Sequence, residues 1–258
     1  MREHDYNKSN VLGVDVCGMR TDRAVALSLD ILRNHELGTV FFHNAVSSLF
    51  CQETDWAMEL MNSFQLVLPG DQHMESAVAG RELTDHAGRS RYADEYMKKF
   101  LMRMNWEYRE IFVTTDSPDR LQMLKDYLNR FYPNITFQGM VCESGIEGAA
   151  DRVVNEINAC IPDAVLLLLP AQEQMEFLRD YETMLNAGLC IGIESLKTLL
   201  AGEADLVPAW IRFLHLDSLY HRFRNKEKLQ SRIAGTIFQK RVNEDISADT
   251  EHDEQNMS

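Results

Sequence analysis

The chain reads as an α/β protein: a parallel sheet flanked by helices, with a basic helical appendage at its C-terminus. Three observations predict this. Short, uniformly apolar runs such as 164–169 and 189–193 suit strands buried on both faces, as in a parallel sheet covered by helices on each side. From about residue 110 such runs alternate with segments of helical periodicity. After Gly202 the apolar runs stop, and a stretch dense in Lys and Arg follows.

Residues 10–16, NVLGVDV, suit a strand pair or the start of one strand, and Thr21-Asp22 then caps a helix over 24–32. The β-branched and aromatic run 39–43 predicts a strand ending at Asn44, and 46–62 has helical spacing. Residues 65–68 read as a strand stopped by Pro69-Gly70, and 91–106 as a helix. The regular half follows: strand 110–114, helix 117–132 with Pro118 just inside its start, strand 135–141 and helix 145–161. Strand 164–169, helix 172–185 and strand 189–193 complete it. Right-handed crossovers join such parallel strands. Pro208 opens a helix over 209–214, and a second covers 219–223.

Residues 221–241 hold seven Lys or Arg against the single acid Glu227, and Leu229, Ile233 and Ile237 recur every four residues beside Phe238 and Val242. This is a basic amphipathic helix, suited either to an anionic membrane surface or to docking with a solvated basic face. The acidic stretch 244–258 reads as a disordered tail. The expected organisation is a flexible 1–9, an α/β domain over 10–203, a helical basic appendage over 204–243, and the tail.

A net charge of −14 opposes nucleic acid as a partner, because phosphate recognition needs a basic footprint. No stretch approaches 18 apolar residues, and MREHDYNKSN lacks the apolar core of a signal peptide. Five cysteines without a C-x-x-C pair suit reduced thiols in a cytoplasmic protein. Neither a Walker loop nor G-x-G-x-x-G occurs, and His43, Asp71 and His73 lack metal-ligand spacing. The expectation is therefore no cofactor and no metal.

Ligands of parallel sheets sit beyond the carboxyl ends of the strands. At that edge Pro170 ends the longest apolar run, and Gln172 and Glu173 follow. They suit a binding rim, and equally the opening turn of a helix, where acids are favoured.

With the sheet placed, its carboxyl-edge loops resemble those of the WecG/TagA/CpsF glycosyltransferases. The pieces in order are 10–14, Asn44, 66–70, Pro170-Ala171-Gln172-Glu173, Ala201-Gly202, Pro208-Ala209-Trp210 and Leu219-Tyr220, with the basic run behind them. The correspondence covers about 10–233. It implies a Rossmann-like fold and inverting transfer of an N-acetylhexosamine, typically N-acetylmannosamine, from a UDP-sugar donor to a lipid-linked acceptor. That acceptor is an N-acetylglucosamine on undecaprenyl diphosphate, in cell-surface polysaccharide synthesis. It also implies a peripheral membrane contact through 221–242, at the inner face of the cell membrane.

Such chemistry needs a base for the acceptor hydroxyl and donors for the departing diphosphate. The resemblance points to Asp71 as the base, one residue later than in the family's L-P-D-G turn, since this chain reads Leu68-Pro69-Gly70-Asp71. An ordinary turn role for Asp71 also fits. Asn44, Gln172 and Glu173 would hold sugar hydroxyls, and Arg232 would meet the lipid diphosphate. Several family positions depart from pattern. T-x-N is Phe42-His43-Asn44, a glycine pair is Thr114-Thr115-Asp116, and P-R-Q-E has lost its Arg to Ala171. G-G-x-F-D is Glu194-Ser195-Leu196-Lys197-Thr198, K-R-A-P is Asp205-Leu206-Val207-Pro208, and G-L-E-W is His215-Leu216-Asp217-Ser218. Glycine and positive charge give way to bulk or negative charge, which suits a second reading: a catalytically lapsed relative that acts as a scaffold subunit.

Overall fold

The computed structural model of the protein describes residues 8–34, 37–78, 92–195 and 232–245. The hairpin β1 (Lys8–Val11) and β2 (Val14–Cys17) comes first, followed by α1 (Thr21–Arg33) and β3 (Gly38–His43). Then come α2 (Ala45–Glu53), α3 (Asp55–Ser63), β4 (Leu66–Pro69), α4 (Gln72–Val78) and α5 (Tyr92–Trp106). The second half runs β5 (Glu110–Thr115), α6 (Pro118–Phe131), β6 (Thr136–Val141), α7 (Ala150–Cys160), β7 (Ala164–Leu168), α8 (Ala171–Tyr181) and β8 (Leu189–Ile193). A last helix, α9, covers 232–245.

Six strands form one parallel sheet in the order β4-β3-β8-β7-β5-β6. The parallel α/β sheet expected from the alternating pattern is therefore present, in the Rossmann-like arrangement that the resemblance implies. β7 and β8 are buried at every position, which is why their sequences are continuous apolar runs rather than alternating ones. β6 is an edge strand, and three of its six residues, Thr136, Gln138 and Gly139, are exposed accordingly. Side chains alternate across the sheet. Phe41 stacks on Phe64 behind α3, whereas Phe42 meets Tyr96 of α5 edge-on. One face of the sheet is thus covered by α2, α3, α7 and α8, and the other by α1 and α5.

Several boundaries differ from expectation for identifiable reasons. The single helix expected over 46–62 is two, because Thr54 adopts an extended conformation (φ −146°, ψ 99°) and breaks the backbone between them. The helix expected over 145–161 begins as a 3-10 turn, Glu147–Ala149, and ends at Ile161 in the left-handed region. The hairpin turn uses Leu12 (φ 50°) and Gly13 (φ 85°), a pair of positive φ angles that matches the twist of a two-residue connection. α4 is a short helix that the sequence pattern did not suggest.

α9 is amphipathic, but not on the face that its isoleucines indicate. Ala234 and Phe238 are buried, while Ile233 and Ile237 stay 58% and 42% exposed. Gly235 explains the rotation: a Cβ there would lie 2.1 Å from Nε2 of His73, so the small-residue face makes the close approach to α4. The helix continues through Glu244 and Asp245, residues expected in the tail. Of the 1–9 expected to be flexible, Lys8 and Ser9 instead open β1, paired with β2. Residues 1–7 and the segments expected over 209–214, 219–223, 221–231 and 246–258 lie outside the described residues, as does the 203/204 boundary.

Candidate active site at the carboxyl edge of the sheet

The junction of β3 and α2 builds the first part of the site. β3 ends at His43, and Asn44 caps α2 with its Oδ1 accepting from Ser47 N–H at 2.9 Å. Ser47 Oγ in turn accepts from Asn44 N–H at 2.9 Å, closing a capping box. The Asn44 amide nitrogen donates to the Glu194 carboxylate just beyond β8. Both ends of the Asn44 side chain are therefore held in place.

Asp71 follows the turn after β4. Its Oδ2 accepts from Ala45 N–H at 3.1 Å and its Oδ1 from Met74 N–H at 2.8 Å. One carboxylate thus fastens the start of α4 to the start of α2 and lies beside Asn44. Gly70 makes this possible, since a Cβ there would sit 2.8 Å from the Phe42 carbonyl and 2.9 Å from that of His43. Both obstacles are backbone, so the turn after β4 closes this tightly only with glycine.

Beneath Asn44, His43 is fully buried, with Nδ1 2.8 Å from Ser47 Oγ. Burial pushes its pKa down to about 3, so the ring is neutral at ordinary pH. It acts as a wedge that seats Ser47 and, through it, the cap.

Gln172 and Glu173 open α8 at the same rim but turn elsewhere. Gln172 is exposed and donates to Glu176 at 2.8 Å, along its own helix. Glu173 is half-buried and its Oε2 accepts from Ile146 N–H at 2.9 Å, beside Gly145 (φ 89°) in the loop after β6. The rim therefore carries two clusters. Asn44, Asp71 and Glu194 gather over β4, β3 and β8, and Glu173 reaches across β5 toward the loop after β6. Within the second cluster Asp116, beyond β5, pairs with Arg120 at 3.2 Å. Arg232 stands exposed on α9, about one turn before the close approach of Gly235 to His73 of α4.

Sequence reasoning identified Asn44 and Asp71 as neighbours of one rim but missed two partners. The Asn-x-x-Ser spacing of 44–47 is itself a capping signal and would have revealed Ser47. The Asn44–Glu194 contact spans 150 positions and leaves no local trace. Among the described residues, no three His, Cys, Asp or Glu side chains gather as a metal site. None of the described helices is long and apolar enough to cross a membrane.

A parallel sheet with its polar loops at the carboxyl edge is the ligand-binding layout of α/β transferases and related enzymes. Residues 9–243 match the model of the WecG/TagA/CpsF glycosyl transferase family, and the chain belongs to that family. No curated protein matches it.

Proposed function

We propose that the protein transfers an N-acetylhexosamine from a UDP-sugar to a polyprenyl-diphosphate-linked sugar, with inversion, in cell-surface polysaccharide synthesis. The meeting of Asn44 and Asp71 at the carboxyl rim of a family-matched sheet supports this reading most directly. In it, the acceptor hydroxyl oxygen attacks the anomeric carbon and the bond to UDP breaks. The hydroxyl proton passes to Asp71. Two backbone N–H groups fix the Asp71 carboxylate, and each oxygen keeps a second lone pair for the acceptor. Asn44, Gln172 and Glu173 hold sugar hydroxyls, and Arg232 meets the lipid diphosphate. The unit over 10–203 would carry the chemistry, and 204–243 would bring it to an anionic membrane face. Exposed Ile233 and Ile237, flanked by exposed Arg232 and Lys240, favour that attachment.

One contact favours the second reading, a non-catalytic scaffold subunit. Glu194 accepts from the Asn44 amide and sets a negative charge at the rim where a diphosphate needs positive potential. Calorimetry with UDP and UDP-N-acetylhexosamines separates the two. Binding, with turnover lost and binding kept in Asp71→Asn, supports the transferase. Silence at millimolar ligand, with binding gained in Glu194→Gly, supports the scaffold.

A further inference from the structure

One carboxylate and one helix fasten the same two elements. Asp71 joins the first turns of α2 and α4, since its oxygens accept from Ala45 N–H at 3.1 Å and from Met74 N–H at 2.8 Å. α9 joins the two helices a second time. Gly235 lies against the imidazole of His73, the second residue of α4, so closely that a Cβ would sit 2.1 Å from its Nε2. Further along α9, Arg241 pairs at 3.8 Å with Glu53, the last residue of α2. That pair is exposed, so it marks where α9 lies rather than what holds it there. Burial holds it. Ala234, Gly235 and Phe238 are buried and Arg241 and Val242 half-buried, a face that recurs every three to four residues along the helix.

α4 needs this second fastening. It has seven residues, too few for a helix to keep its own place. The first N–H groups of a helix have no acceptor inside it, and Met74 N–H finds one in Asp71 Oδ1. Ala45 N–H, at the start of α2, finds one in Asp71 Oδ2. With both bonds made, each carboxylate oxygen is held and the plane of the group is set. If α4 turns away, Oδ1 is released and the carboxylate rotates on its remaining bond to Ala45. A reacting group misplaced by about 1 Å loses about a hundredfold in rate. His73 stands two residues beyond Asp71, so the contact with Gly235 acts within the same turn as the cap.

We propose that α9 is a strap that aims Asp71, and that His73 is the positioning residue through which it acts. This rests on Asp71 as the base of the proposed transfer. Amide hydrogen exchange, followed by nuclear magnetic resonance on the full chain, reads the clamp without any substrate, because protection of Ala45 and Met74 N–H reports the Asp71 carboxylate. Gly235→Val should speed exchange at both amides at least about tenfold while the amides of β7 and β8 keep theirs. His73→Ala added to Gly235→Val makes room for the valine and should restore both. In UDP release, Gly235→Val should lose about tenfold in kcat with donor affinity within about twofold, and the double variant should regain it. Phe238→Asp, on the same docked face, should give the same pattern and replaces Gly235→Val if that variant does not fold. A wild type inert with every donor removes Asp71 as base, yet the two amides still decide whether α9 holds the carboxylate. Unchanged exchange at Ala45 and Met74, a loss shared equally with β7 and β8, or no recovery in the double variant would overturn the proposal. Faster exchange with kcat unchanged in an active enzyme would overturn it equally.

Discussion

Acid should unfold this protein partly through His43, and the size of the effect follows from its position. The ring is fully buried and its pKa is pushed down to about 3, against 6.5 for an exposed histidine. Below pH 6.5 the unfolded chain takes up a proton that the native state refuses. Stability contributed by the neutral ring is therefore full above pH 6.5 and falls steadily as pH drops toward 3. The slope approaches ~1.4 kcal/mol per pH unit, so the step from pH 7.5 to 5.0 costs about 2 kcal/mol from this residue alone. Carboxylates add their own pH dependence, so the comparison is with His43→Gln, which cannot titrate. Urea unfolding of both proteins at pH 7.5 and 5.0 gives the four stabilities needed. The wild type should lose about 2 kcal/mol more than the variant between the two conditions. Parallel losses would refute the claim that a buried neutral imidazole seats the Asn44 cap.

Three further outcomes follow from the contacts around the rim. Asp71→Ala leaves Ala45 N–H and Met74 N–H without their carboxylate, and should cost about 1–2 kcal/mol in denaturant unfolding. Gly192→Ala places a Cβ 2.4 Å from Gln174 Oε1 and 2.7 Å from a Phe41 ring carbon, so it should destabilise by about 1–3 kcal/mol in the same assay. Gly235→Val should undock α9 from His73, read as faster amide hydrogen exchange over 232–245, and His73→Ala in the same chain should restore protection.

Most of the sheet was legible in the sequence because β7 and β8 are buried on both faces, and unbroken apolar runs of strand length leave few alternatives. The elements that escaped obey tertiary rather than periodic signals. α4 has seven residues, too few to establish a period, and exists because Asp71 caps it. The break at Thr54 interrupts a helical pattern that runs through it, since apolar spacing says nothing about one extended residue. On α9 the isoleucine stripe was legible but did not decide the docking face. Close approach at Gly235 outweighed the burial of two larger side chains. At the site, Asn44 and Asp71 could be placed on one rim because each closely follows the end of a strand. That Glu173 turns toward Ile146, and that Glu194 claims the Asn44 amide, depends on contacts between distant segments.

The most direct measurement is UDP release by wild type and Asp71→Asn, supplied with UDP-N-acetylhexosamines and a short-chain polyprenyl-diphosphate-linked N-acetylglucosamine. If the rim over β3 and β4 performs sugar transfer, wild type turns over and Asp71→Asn binds donor without releasing UDP. A wild type that is inert with every donor, or an Asp71→Asn variant that turns over undiminished, would contradict it.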